Sequence, residues 1–412
     1  MLGGGGRGFI VNFLEELAAK RRFGMRPGLD AIRGACSALG DPQDRLTAIH
    51  VAGTNGKGAV CAMLDSCLRA SGFRTGRYTS PHLVRLNERF FLDGAPVSDE
   101  VLERNAILVK AALPAVDITF FEALTALAFN LYASEAPDYV VLETGLGGRL
   151  DATNVCRPAL TVITRIGLDH CDWLGNTIPE IAYEKAGIIK TGVPVVVGAN
   201  TKEAVDVIRR QADISGAPFI YAPDVASSEE LPGDFGLAGC FNRENAVTAL
   251  AALKTLGVNG FERGFAEVVW PGRFQRVANF IVDGAHNPPA ARALASALSE
   301  LSFHGNVIAG FCGDKDADEV LRILAPFARR GLAVKTNNPR SLPADVVAHK
   351  MKLAGIDAVS CDSLAGALEL AETTSTLICG SLFLAGEALV KLGAYPWGKT
   401  PRFDASELLK AE

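Results

Sequence analysis

The stretch LTAIHVAGTNGKGAVCAMLDSCLRA, residues 46–70, decides the fold class. Leu46 to Val51 is a short apolar run that ends in a glycine loop. Beyond the loop, Val60, Met63, Leu64, Cys67 and Leu68 recur at i, i+3, i+4, i+7 and i+8, the signature of one helix face. Strand, loop and helix in this order make the repeating unit of a mostly parallel sheet with helices on both faces. The same alternation continues through strand-like runs at Tyr139 to Leu142, Leu160 to Thr164 and Val193 to Val197. It restarts after about residue 275, with strands expected at Phe280 to Val282, Val307 to Phe311, Leu332 to Thr336, Ala358 to Cys361 and Leu377 to Cys379. Helices are expected between them, around 289–301, 318–329, 344–355 and 363–372, the first capped by Asn287 with Pro288 in its opening turn. The hinge region falls in Glu262 to Asn279. The expectation is therefore two α/β domains: a larger P-loop-type domain with a mostly parallel sheet over residues 1–272 and a smaller Rossmann-like domain over 273–412.

Composition bounds the rest. A chain of 412 residues with 49% hydrophobic and 21% charged residues can bury large cores and is not disordered. Its net charge of −5 provides no broad basic surface, so no nucleic-acid partner is expected and any bound phosphate belongs to a local ligand. No apolar run approaches membrane-spanning length, and the glycine-rich start (Gly3 to Gly6) has nothing of a secretory leader, so a cytoplasmic protein is expected. Nine cysteines without a CxxC pair argue against a disulfide framework and a zinc site.

Polar residues just past the strands carry the chemistry, because ligands of open α/β sheets bind there. Gly53, Thr54, Asn55, Gly56, Lys57 and Gly58 form a polyphosphate cradle: glycines that let N–H groups converge, a helix N-terminus, and one full positive charge. The general P-loop pattern is met imperfectly, with Val51 where the first glycine would stand and Gly58, followed by Ala59, where a metal-binding hydroxyl would stand. Magnesium accompanying a triphosphate must then find ligands elsewhere. Ser80, Glu143 and His170 each follow a strand and share one sheet edge, although singly each has a plain alternative: a turn residue, a loop carboxylate and a core or capping histidine. Lys185 sits on a mostly apolar helix, where a lysine ordinarily reaches back to water. In the second half, Asp283 and His286 follow the strand Phe280 to Val282, placed to meet a ribose. Arg273 at the hinge reads as a phosphate fork or as a surface ion pair.

Taken together, HVAGTNGKG (50–58), SPHLVRLNERF (80–90), ETGLGGRLDATN (143–154), IGLDHCDWLG (166–175), EKAGIIK (184–190), PGRFQ (271–275) and DGAHNP (283–288) resemble the Mur ligase superfamily. Within it they resemble the dihydrofolate synthase/folylpolyglutamate synthase branch, over roughly residues 10 to 400. The resemblance implies ATP-dependent attachment of L-glutamate to dihydropteroate or a folate through an acyl phosphate, with ATP and Mg2+ at two sites. Lys57 and its glycine loop would hold the phosphates, with Lys57, Lys185 and His170 catalytic. Ser80 and Glu143 would ligate one magnesium, and Glu143 and His170 a second. Lys185 would be carbamylated into an anionic metal ligand, which reverses the plain reading of it as a solvent-seeking lysine. Asn245, Arg273, Asp283 and His286 would contact nucleotide, and Thr119, Phe121, Asp151 and Ala152 the pterin end. A monomer acting on small molecules is expected, since nothing in the sequence demands an oligomer. Thr-Phe-Phe-Glu (119–122) and Leu-Asp-Ala-Thr (150–153) favour a bifunctional enzyme over a monofunctional chain-extending one. A peptidoglycan-type Mur ligase would carry an additional N-terminal domain, whereas only about 45 residues precede the strand that leads into the phosphate loop. A P-loop kinase or switch would release ADP without needing glutamate.

Overall fold

All five residues of β1 (Ala48–Ala52) are buried, which requires sheet neighbours on both edges and cover on both faces. In the computed structural model, which describes residues 28–113, 118–313, 315–371 and 373–398, β1 has them. It pairs in parallel with β5 (Tyr139–Glu143) on one side and β6 (Leu160–Ile163) on the other. The sheet extends from β5 through β2 (Thr75–Tyr78), β3 (Phe90–Leu92) and β4 (Ala95–Pro96). On the other side it extends from β6 through β7 (Val195–Val197) and β8 (Phe219–Tyr221). Only the β2–β3 and β3–β4 pairings, at the edge, are antiparallel. The carboxyl ends of β2, β5, β1 and β6 therefore lie side by side on one rim. The Gly3 to Gly6 cluster lies outside the described residues.

The second unit has its own sheet, in the order β13 (Ala358–Ser360), β12 (Ala328–Ala333), β11 (Gly305–Ala309), β14 (Thr376–Cys379), β10 (Phe280–Val282) and β9 (Gln275–Val277). Only β9 is antiparallel. Its core packs Leu294, Leu298, Val320, Leu321 and Leu324 from the helices against Val307, Ala309, Ala333 and Leu377 from the strands. The helix Pro288–Glu300 starts as its sequence indicates, with the Asn287 side chain accepting from Ala290 N–H. The chain separates into a first unit that runs to Gly236 and takes up Glu244–Val268, and a second that holds Leu237–Arg243 and the residues from Val269. No described helix is long and apolar enough to cross a membrane.

The doubly wound α/β class holds in both halves, and the differences from expectation are local. Strands β3, β4, β8 and β9 have two or three residues each, too few to show a period, and their pairing partners alone make them strands. β12 begins at Ala328 rather than Leu332, running through exposed Arg329 and Arg330, because backbone pairing with β11 starts at Gly305. The segment expected as a hinge contains a short helix, Glu262–Glu267, whose Gly264 lies against the Ser66–Cys67 backbone of the first unit.

Candidate active site

The rim is organised around the carbonyl of Gly53, the first residue past β1. Two ammonium groups donate to it: Lys57 Nζ at 3.1 Å and Lys185 Nζ at 2.8 Å. Lys57 also donates to Thr54 O at 3.4 Å. Lys185 comes from the last turn of the helix Ile178–Ala186, whose start is fixed by a capping box between Thr177 and Glu180. Ile181, Ala182 and Ala186 of that helix are core residues, and Lys185 is only 3% exposed. It therefore does not reach back to water as an isolated lysine on such a helix would. Burial, reinforced by the positive charge of Lys57, brings its pKa down from 10.5 to about 7, with Asp169 and Asp151 pulling weakly the other way. Two cations share one carbonyl oxygen here, and that excess of positive charge suits an anion.

The loop leaves little room for side chains. A Cβ on Gly53 would fall 1.9 Å from Thr164 Oγ1, and one on Gly56, at φ +88°, would fall 2.2 Å from Asn245 Oδ1. Asn245 thus lies directly on the phosphate loop. The N–H groups of Thr54 and Asn55 donate to Arg165 O at 2.8 and 3.2 Å, and the Thr54 hydroxyl bridges to Gly167. These bonds take the middle of the loop out of the cradle. The N–H groups left for an anion include those of the N-cap Gly56 and of the first turn of the helix Lys57–Ala70, at Lys57, Gly58 and Ala59. Ala59 is buried at this turn.

Ser80 follows β2 and Glu143 ends β5, two adjacent strands, and Ser80 N–H donates to Glu143 Oε2 at 3.1 Å. Ser80 and Glu143 are thus brought together beside the two lysines. His170 lies beyond β6 on the same rim, in left-handed backbone (φ 52°), with its half-exposed ring 3.9 Å from Asp169. Among the described residues no three His, Cys, Asp or Glu side chains converge. Carboxylate and hydroxyl oxygens suit a hard divalent cation.

Thr119 caps the helix Phe120–Glu135, accepting from Glu122 N–H, while Glu122 accepts from Thr119 N–H at 2.7 Å. Phe121 lays its ring against Gly145, two residues past Glu143. Asp151 and Ala152 are buried. The Asp151 carboxylate accepts from the N–H groups of Leu146 and Thr153 and from the Thr153 hydroxyl, so it shapes the loop from within. Burial raises its pKa against those bonds. Thr153 in turn meets His50 Nε2 at 2.7 Å. Because the threonine proton goes to Asp151, His50 must donate from Nε2, and burial pushes its pKa down to about 3. Its neutral ring ties β1 to the loop.

In the second unit, Asp283 follows β10. Its carboxylate accepts from Ala285 N–H at 2.7 Å and Phe274 N–H at 2.8 Å, and burial raises its pKa while Arg273 lowers it. His286 Nδ1 donates to Gly284 O at 2.8 Å. Arg273 Nη1 donates to Gly272 O at 3.2 Å, and a Cβ on Gly284 would fall 2.7 Å from the same nitrogen.

Sequence reasoning passed over His50, Thr153, Asn154 and Lys190. The available signal was polar residues inside otherwise apolar or glycine-rich runs: His50 in a fully buried strand, and Lys190 closing EKAGIIK.

Residues 51–214 match the Mur ligase middle domain and 272–382 the Mur ligase glutamate ligase domain. The chain is 37% identical over 332 residues to a Bacillus subtilis dihydrofolate synthase/folylpolyglutamate synthase, spanning 72% of this chain and 77% of that one. It is 31% identical over 408 residues to the Escherichia coli protein of the same name, spanning 93% and 95%. Among solved structures, E. coli FolC in complex with DHPP and ADP superposes with a TM-score of 0.84 at 31% identity, covering 93% of this chain and 98% of that one. A Yersinia pestis bifunctional folylpolyglutamate synthase/dihydrofolate synthase with AMPPNP and Mn gives 0.83 at 30%, covering 93% and 98%.

Proposed function

The chain belongs to the Mur ligase family, in its dihydrofolate synthase/folylpolyglutamate synthase branch, and is an ATP-dependent acid–amino-acid ligase. On that premise we propose that it joins L-glutamate to dihydropteroate and to reduced folates through an acyl phosphate, with the residues of the β1 rim carrying the first half of the reaction. The observation that carries this reading is the convergence of Lys57 and Lys185 on Gly53 O, beside a rim that presents Glu143 and Ser80.

The physical problem is charge. A carboxylate must attack the γ-phosphate of ATP, and two anions repel. The Lys57 ammonium and the first-turn N–H groups face the phosphates and stabilise charge that grows on the departing ADP. Divalent magnesium, held by Ser80 and Glu143 at one site and by Glu143, His170 and carbamylated Lys185 at a second, would supply further charge neutralisation when bound. The oxygen donors on this rim suit that ion, and Mn accompanies AMPPNP in the Y. pestis relative. Lys185 prepares itself for carbamylation. With a pKa of about 7 a large fraction of its amine is neutral near pH 7. The amine lone pair forms the N–C bond to CO2, a C=O electron pair moves onto oxygen, and one N–H proton leaves to water. The neutral amine becomes an anion beside the positive charge of Lys57. The amine of glutamate then attacks the acyl phosphate and expels phosphate, forming the amide.

Thr119, Phe121 and the Asp151–Ala152 turn face the acceptor in this reading. Arg273, Asp283, His286 and Asn245 serve the nucleotide. The protein acts as a monomer on small molecules in the cytoplasm. Nine cysteines with no disulfide among them suit a reducing compartment.

ADP release measured with dihydropteroate, dihydrofolate or tetrahydrofolate, each with and without glutamate, tests the function. Release with all three acceptors, each time dependent on glutamate, is expected. Turnover with tetrahydrofolate alone would make the enzyme monofunctional, and release indifferent to glutamate would make it a kinase-type ATPase.

A further inference from the structure

Lys190 and Asn154 do not touch the phosphate loop, yet they hold the end of the helix that carries Lys185. Lys190 Nζ donates to Asn154 Oδ1 at 2.7 Å and to Asn154 O at 2.9 Å. An ammonium can only donate, so the amide oxygen of Asn154 must face it and the amide nitrogen must face away. Turned that way, Asn154 Nδ2 donates at 3.0 Å to two carbonyls: Gly187 O, just past the Lys185 helix, and Arg149 O, in the loop that leaves Glu143.

Arg149 and Glu184 tie the same seam a second time. Arg149 N–H donates to Glu184 O at 2.8 Å, and the Arg149 guanidinium grips the Glu184 carboxylate at 2.8 and 3.1 Å. Glycines let the two backbones meet. A Cβ on Gly148 would fall 2.8 Å from Lys185 O, and one on Gly187 would fall 2.3 Å from Arg149 Cβ. The loop joining the magnesium carboxylate to the acceptor turn is thus clamped to the last turn of the Lys185 helix, and Lys190 sets the sense of the clamp.

We propose that Lys190 is a positioning residue for the carbamate: by fixing the orientation of the Asn154 amide, it holds the last turn of the Lys185 helix so that the Lys185 side chain stays directed at Gly53. This rests on the reading that Lys185 carries the carbamate. Methionine at 190 offers no donor, so the Asn154 amide loses its fixed sense and the bonds to Gly187 and Arg149 weaken. Arginine keeps the donors, and glutamine keeps a weaker pair.

The test uses the full chain in 13C-bicarbonate, following the carbamate resonance by NMR and, in parallel, the bicarbonate concentration that gives half-maximal ligation. For Lys190→Met and Asn154→Ala that concentration should rise about tenfold, as about 1.4 kcal/mol of lost positioning requires. KM for ATP should stay unchanged and the carbamate signal should fall in step. Lys190→Arg should behave as the parent and Lys190→Gln should fall between, which keeps the comparison open if the methionine variant folds poorly. A carbamate signal in the parent that stays undiminished in folded Lys190→Met or Lys190→Gln overturns the inference. Absence of any carbamate signal in the parent instead overturns the reading of Lys185, and the positioning role with it.

Discussion

Lys185→Met should stabilise this protein at neutral pH while destroying its activity. Holding a lysine pKa at about 7 instead of 10.5 costs the folded state about 4 kcal/mol at pH 7. The hydrogen bond to Gly53 O returns about 1 kcal/mol, and Lys57 still serves that carbonyl in the variant. Methionine fills a similar volume among Ile181, Ala182 and Ala186 without a charge to desolvate. The expected gain is about 3 kcal/mol in CO2-free buffer, where the amine stays unmodified. Its pH dependence is the sharper signature. Between about pH 7 and 10.5 the unfolded chain holds the proton and the folded chain does not, so stability of the parent rises with pH. The advantage of the methionine variant should therefore shrink by about 1.4 kcal/mol per pH unit above 7 and close at about pH 9 to 10, where the hydrogen bond to Gly53 O offsets what remains of the penalty, while staying at full size below 7. Urea denaturation of both proteins from pH 6 to pH 10, following loss of the first unit, measures it. Parallel curves across that range would refute the argument, because they would mean that Lys185 keeps an ordinary lysine pKa in the fold.

The same geometry gives three further expected outcomes. Glu143→Ala should lower kcat for ligation by about 10^2 to 10^3-fold, measured as glutamate-dependent ADP release with all substrates saturating; near-normal turnover would remove Glu143 from the metal site. Gly56→Ala must adopt φ +88° and displace the Asn245 amide, so it should raise KM for ATP and cost about 1–3 kcal/mol. Adding Asn245→Ala should recover part of that stability, which a double-mutant cycle reads directly. Asp65→Ala leaves Arg77, itself 3% exposed, without its 3.1 Å carboxylate and Thr75 without its acceptor; unfolding free energy should fall by about 3–5 kcal/mol with little change in activity per folded molecule.

The motifs of this chain are legible because each is a local solution to a local problem. A buried strand must end somewhere, and the loop past its carboxyl end has to be glycine-rich to bring N–H groups together. Residues 46–70 state that in one stretch, and the α/β class and the family can both be read from it and its companions. The Asn287 cap and the Pro288 turn are equally local, readable over four residues. By contrast, the short strands β3, β4, β8 and β9 have no period of their own and exist only through their pairing partners.

What only the tertiary structure decided is which polar groups are already committed. Asp151 sits in a motif with the look of a ligand contact, and the fold shows that its oxygens also accept from Leu146 and Thr153, as those of Asp283 do from Phe274 and Ala285. The N–H groups of Thr54 and Asn55 belong to Arg165, a residue more than a hundred positions away. Lys185 reads in isolation as a solvent-seeking lysine, but the fold buries it beside Lys57 and lowers its pKa to about 7. Sequence determines which groups a chain can offer and at what spacing along the backbone. Burial, the nearness of a second charge, and competition for hydrogen bonds depend on distances through space, and those exist only once the strands have been set side by side.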